Sequence, residues 1–164
     1  MTASDPFSKL DLRVAKILEV QDHPQADKLY IMQVDLGPLG KRSIVAGMKP
    51  YYQKQEIIGK SIVMVINLKP AVIRGIESKG MLLAATDSMN VVSLLDPKDS
   101  SPGTEVVVEG IAREPVSVLE FDAFKQAPIT VNEKGNVVYN EKPLKTKDSI
   151  IVTDRKVKEG AKVS

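Results

Sequence analysis

The chain has no cysteine, no tryptophan, one histidine, three phenylalanines and four tyrosines among its 164 residues. The missing thiols exclude disulfides, thiolate metal sites and cysteine nucleophiles. A single imidazole, His23, excludes any site that needs two. It precedes Pro24 in a turn near Asp22 and Asp27 with no nucleophile paired to it, so its reading is structural and not catalytic. A P-loop is absent too, since Gly37 to Gly40 lacks the Lys-Ser/Thr that would define one. No catalytic centre, metal or cofactor is therefore expected, and the chain reads as a binding protein, not an enzyme. No apolar run approaches the ~18 residues of a membrane span, and Met1 to Asp11 lacks the apolar core of a signal peptide. A cytoplasmic location and no membrane partner are the expectations. Charge of one sign is also lacking: the net charge is +2 and the two signs are well mixed, so any cationic face has to be made by folding. Scarce aromatics leave few platforms for base stacking. Tyr30 is assigned to the core by strand parity, leaving Tyr51 and Tyr52 as the exposed pair.

What is there is strand-forming. Leu10 to Val20 is aliphatic without clean alternation, which predicts a curved or bulged strand with Arg13 and Lys16 reaching solvent. Leu29 to Leu36 alternates, placing Tyr30, Met32, Val34 and Leu36 on one face, and after Gly37-Pro38-Leu39-Gly40 the segment Lys41 to Ala46 is expected to run back antiparallel. Gly47 to Gly59 has room for one short helix. Ser61 to Ile66 is a nearly unbroken apolar strand, best placed centrally in a closed sheet. Met81 to Ala85, Val91 to Leu95 and Glu105 to Val108 follow. Short strands at this spacing, with a helix between the third and fourth, predict an all-β fold: a five-stranded Greek-key barrel of the oligonucleotide/oligosaccharide-binding (OB) plan.

The expected division is a flexible lead over 1–9, the barrel over 10–113 and a small β-rich C-terminal subdomain over 114–164. In the last, Leu119, Phe121 and Phe124 are expected to dock, Ile129-Thr130-Val131 and Val137-Val138-Tyr139 to form a hairpin around Asn132 to Asn136, and Ile150 to Thr153 to add a strand. So few large apolar side chains do not make an independent core, so this part is expected to pack on the barrel.

Asn67 to Leu83 (NLKPAVIRGIESKGMLL) reads as a loop on which the binding surface is organised. Pro70 has no N–H to offer a ladder and restricts Lys69, so the preceding strand should break here and expose cations. Lys69 and Arg74 suit phosphates, and Asn67 and Ser78 suit base or sugar edges. An ordinary solvated loop is the plainer reading of the same residues.

Five motifs in order carry a resemblance: Asp11-Leu12-Arg13-Val14-Ala15-Lys16-Ile17, His23-Pro24-Gln25-Ala26-Asp27-Lys28-Leu29, Ser43-Ile44-Val45-Ala46-Gly47, Asn67-Leu68-Lys69-Pro70-Ala71 and Arg74-Gly75-Ile76-Glu77-Ser78-Lys79-Gly80-Met81. They resemble the tRNA-binding domain family, which includes domains appended to methionyl- and tyrosyl-tRNA synthetases and synthetase-associated cofactors. The further fifty or so residues are similar to the longer subgroup typified by endothelial monocyte-activating polypeptide II, in which the tail stands in for the second subunit of shorter, dimeric relatives.

The resemblance implies a monomeric, non-catalytic module that delivers or retains tRNA for an aminoacyl-tRNA synthetase of methionyl, tyrosyl or lysyl type or an associated cofactor, in the same chain or a complex. It points to Asn67, Lys69, Arg74, Ser78 and Met81 as the RNA-contacting lip, with a core methionine as the other reading of Met81. Lys16, Lys41, Arg42 and Lys79 are further candidates, or else solvated charges. A different class of function, cytokine-like signalling after release and secretion, is implied by relatives with this tail. Arg13 to Glu19 is similar to the stretch credited with it, though the first barrel strand explains those residues equally. A chaperone-like dimer similar to the CsaA branch is the third reading, and the tail argues against it.

Overall fold

The structure, a computed structural model, describes residues 5–164, so the first four residues of the expected lead lie outside it. From Asp5 onward that lead is built in. Pro6–Lys9 makes one 3-10 turn, capped where Asp5 Oδ1 accepts from Phe7 N at 2.9 Å. Phe7 is buried, its ring centroid 4.9 Å from that of Tyr139.

The barrel begins with β1 (Leu12–Asp22), followed by β2 (Tyr30–Asp35), β3 (Lys41–Ala46), the short helix α1 (Lys54–Ile57) and β4 (Ser61–Val65). The chain continues through β5 (Ala71–Ile73), β6 (Ile76–Ser78), β7 (Met81–Leu82), β8 (Ala84–Thr86), β9 (Val92–Asp96) and β10 (Val107–Val108). One five-stranded sheet has the order β3-β2-β1-β4-β7. The irregular pattern of β1 has its cause in a register shift between Ile17 and Glu19, the bulge that lets a strand of this length curl. Lys16 is exposed as expected, whereas Arg13 is only partly so and is tied down: its Nε donates to Asp11 Oδ1 at 2.8 Å and its Nη1 to Gly103 O at 3.0 Å. Arg113, where the barrel span ends, bonds the same Asp11 and Glu105, so an ionic cluster fastens the join.

Two apolar cores lie on the two sides of one barrel wall. Inside sit Ile17, Met32, Val34, Ile44, Ile57, Ile62, Met64 and Leu94. Outside, beneath the tail, sit Leu12, Val14, Val63, Val65, Leu83, Leu95 and Leu119. Side chains alternate across a strand, so β4 feeds Ile62 and Met64 inward and Val63 and Val65 outward. Its unbroken apolar run is what a strand covered on both faces requires.

The tail supplies the outer cover. It forms α2 (Phe121–Phe124), β11 (Ile129–Val131), β12 (Val137–Tyr139), β13 (Lys142–Lys145), β14 (Val152–Thr153) and β15 (Lys162–Val163). These do not stack as a separate layer alone: they join β8 and β9 in one eight-stranded sheet, β10-β13-β12-β11-β15-β8-β9-β14. β15 pairs with β8 and β14 with β9, so the β8–β9 hairpin is clamped on both edges. At its turn Asp87 accepts from Lys158 N, Val91 N and Met89 N. Those N–H groups, Lys158 first, hold its carboxyl below the usual carboxylate range.

Candidate nucleic-acid interface

The lip is built from the end of β4. Asn67 turns the chain out of the barrel, and its amide is spent on holding three segments together: Oδ1 accepts from Asp11 N at 3.0 Å, and Nδ2 donates to Lys9 O and Val116 O, both at 2.9 Å. The tail then pairs with the lip itself. Leu119 N donates to Asn67 O at 2.7 Å and Lys69 N to Leu119 O at 2.8 Å, a parallel bridge that ends at Pro70, which has no N–H to continue it. Lys69 therefore has a fixed backbone and a free side chain, 64% exposed, with Glu120 Oε1 3.8 Å away.

Beyond Pro70 the chain is not the loop its composition predicts. β5 and β6 form a two-stranded hairpin whose turn residues, Arg74 at φ 51° and Gly75 at φ 85°, both take the left-handed conformation of a type I′ turn. Arg74 is exposed at its tip. His23 anchors the hairpin from below. The residue is buried, Gln25 N donates to Nδ1 at 3.0 Å, and Nε2, left as the protonated nitrogen, donates to Ile73 O at 3.1 Å. The lone histidine is thus a strut under the lip.

Ser78 is buried, and its hydroxyl is spent inside the protein, accepting from Val45 N at 2.9 Å and donating to Gly80 O at 3.0 Å. With Lys79 N donating to Ser43 O at 3.0 Å, it sews β3 to the end of the hairpin and closes the barrel. Gly80, at φ +129°, is needed there, because a Cβ would lie 2.6 Å from the Met64 methyl and 2.9 Å from Val65 O. Met81 is half-buried, one residue before the buried Leu82.

Two neighbouring depressions, sharing Leu68 and Pro70, result. One, about 360 Å³, has Lys69 and Glu120 together with Ser78, Met81, Ile73 and Phe121 in its walls. The other, about 430 Å³, gathers Lys41, Arg42, Lys79 and Asn67 with Ser117 and Val118 of the tail. Arg42 is fixed by Nη1 donating to Ile66 O at 2.6 Å, while Lys79 is 57% exposed, 3.9 Å from Glu77. Seven of the nine residues singled out from sequence thus line this pair of depressions; Arg74 and Lys16 line neither.

The tail's share of this surface, Ser117 to Phe121, was not expected from sequence. The spacing of Leu119, Phe121 and Phe124 signalled docking, and Leu119 and Phe124 do dock, but Phe121 stays 44% exposed. The expected exposed pair of tyrosines is corrected to one. Tyr51 is 42% exposed, whereas Tyr52 is at 2%, with Leu94 N donating to its hydroxyl, that hydroxyl donating to Asp154 Oδ2 at 3.1 Å, and the Arg155 guanidinium 3.6 Å over its ring. Burial pushes the Tyr52 hydroxyl up. Tyr30 is in the core as its parity predicted.

A family model described as "Putative tRNA binding domain" matches residues 12–105. The methionine–tRNA ligase of Pyrococcus horikoshii is 53% identical over 102 residues, covering 62% of this chain and only 14% of that protein, so the chain spans a small fraction of the curated relatives it matches. Among solved structures, the C-terminal domain of Plasmodium vivax p43 is similar over 98% of this chain and 99% of its own, at TM-score 0.88 and 25% identity. The CsaA chaperone protein of Picrophilus torridus is 33% identical at TM-score 0.59, covering all of that chain but 65% of this one. The p43 likeness therefore extends through the tail, and the CsaA likeness does not.

Proposed function

The chain belongs to the tRNA-binding domain family, and from that premise we propose that it captures tRNA without altering it and holds it beside an aminoacyl-tRNA synthetase, within the same polypeptide or in a complex. Tethering raises the local concentration of the ligand, so modest intrinsic affinity suffices. The observation that carries the reading is the convergence of Lys41, Arg42 and Lys79 in one depression with Lys69 at the mouth of the next, on a chain of nearly balanced charge. Cations gathered on one face neutralise phosphates, and a surface with few rings reads shape more than sequence.

In this assignment Lys41, Arg42, Lys69 and Lys79 meet phosphates and Arg74 reaches them from the hairpin tip. Met81 contributes apolar wall, Lys16 is peripheral, and Asn67 and Ser78 serve by fixing the backbone that presents the others. We read the chain as a barrel over 10–113 with a subdomain over 114–164 that covers one barrel face, the place a second subunit would otherwise occupy, so the unit is a monomer working in the cytoplasm. No helix among the described residues is long and apolar enough to cross a membrane. Arg13 to Glu19 lies in β1, hydrogen-bonded between β2 and β4, a position suited to holding the barrel.

Titration with tRNA across a salt series, with solution mass measured in parallel, tests this. Neutralising three to five phosphates of unpaired RNA gives a slope of log affinity on log salt of roughly −2 to −3.5, and Lys69→Ala with Lys79→Ala flattens it by about 0.7 for each phosphate left without its cation. A slope near zero for the unaltered chain, or a slope unmoved by the pair, sinks the electrostatic assignment.

A further inference from the structure

The depression beside Lys69 has a wall that the barrel does not provide. Phe121, the first residue of α2, is 44% exposed although Phe124 beneath it is buried. The two rings lie 6.4 Å apart, only 19° from parallel, and Lys125 Nζ sits 4.7 Å from the Phe121 centroid. The ring thus has a second ring and a cation beside it and still lines the depression, whose walls also include the apolar Leu68, Pro70, Ile73 and Met81. At about 360 Å³ the space is of ligand-pocket size, and it fits one base with its ribose more naturally than a duplex edge.

Charge agrees with that occupant. A nucleotide in the slot places its phosphate near Lys69 and points its strand toward the adjoining Lys41, Arg42 and Lys79. Glu120 shares the mouth, 3.8 Å from Lys69 Nζ; a carboxylate there is able to accept from a base amino group and repels a phosphate from its own side. An apolar peptide side chain would use the slot but bring no anion to Lys69 or to the adjoining Lys41, Arg42 and Lys79.

We propose that Phe121 and the apolar slot beside it take one unpaired nucleotide of a bound tRNA, the base stacked on the ring and the phosphate on Lys69. This rests on the tRNA-binding reading of the same face and assigns its stacking platform to the tail, not the barrel. Phe121 then adds affinity that salt does not screen, because stacking is not a charge interaction.

The absence of tryptophan makes the test direct. In Phe121→Trp the single indole is the only such emitter, and tRNA is expected to quench it while heparin, a polyanion without bases, leaves it unchanged. Phe121→Leu, which keeps apolar bulk without a ring, is expected to weaken tRNA binding about 10-fold at fixed salt while the salt slope and the melting temperature hold. Full-strength binding by Phe121→Leu, equal quenching by heparin, or an unquenched indole in a Phe121→Trp protein that still binds tRNA overturns the slot and leaves the cationic face standing. Failure of the unaltered chain to bind tRNA removes both.

Discussion

β2 and β4 are both barrel strands, yet they face different surroundings. Along β2 the buried residues Tyr30, Met32 and Val34 alternate with the half-buried Ile31, Gln33 and Asp35, whereas Ile62 to Val65 of β4 are all buried. The difference is the tail, which lies over the outer face of β4 and leaves the outer face of β2 to solvent. A barrel wall with one dry face tolerates polar residues at every second position; a wall with two tolerates none. Those two patterns are written in the sequence, and the second marks where the appended residues sit.

That contrast is sharpest for a buried charge. Val63→Asp puts a carboxylate among the apolar residues of the outer core, and is expected to abolish cooperative folding or to cost upward of about 3 kcal/mol. The matching Ile31→Asp on the outer face of β2 is expected to cost about 1 kcal/mol. Denaturant melts of the two check it, and equal losses would erase the distinction. Leu119→Ala, which empties part of the outer core without burying a charge, is expected to cost about 2–5 kcal/mol in the same melts. Because the buried Leu119 side chain anchors the backbone that bonds Asn67 O and Lys69 N, tRNA affinity should fall with it, and intact affinity would detach the lip from the tail. The smallest effect is a pH dependence confined to the tail side. Burial first, and then the Asp5 carboxylate that accepts its hydroxyl at 2.5 Å, push Tyr139 up to about 12. With the folded value above the ordinary ~10 of the unfolded chain, the contribution is whole below pH 10 and is lost as pH rises toward 12. Melting temperature across that window should drop more for the unaltered protein than for Tyr139→Phe, and parallel curves would remove Tyr139 from the account.

The strands of the barrel were legible because each carries its burial pattern locally: the irregular Leu12 to Asp22, the alternating Tyr30 to Asp35, the solid Ser61 to Val65. The brief helix before β4 and the hairpin from Ile129 to Tyr139 were legible for the same reason. The hairpin β5–β6 was not, since each strand has three residues and Arg74-Gly75 is not the Asn-Gly pair that advertises a type I′ turn. Tyr52 was misplaced because parity speaks only for strands, and it lies in the turn before α1. β13, Lys142 to Lys145, was missed behind two lysines and Pro143. At the lip, residue types announced cations and turn formers, but not that the Asn67 amide and the Ser78 hydroxyl are consumed by the protein itself. Nor does any local pattern announce a parallel bridge from Leu68 to Leu119, because its partners are remote along the chain.

The clamp on β8 and β9 bears on how the molecule comes into being. Both strands are complete by Asp96, yet the segments that seal their edges arrive only at Val152 and Lys162. During synthesis, N-terminal parts order first, so for most of that interval the hairpin offers raw ladder groups to whatever passes, the kind of margin along which nascent chains stick to one another. The polypeptide must then remain unaggregated until Val163 clears the ribosome, and truncation just short of that point should yield insoluble material long before it yields a merely weaker binder.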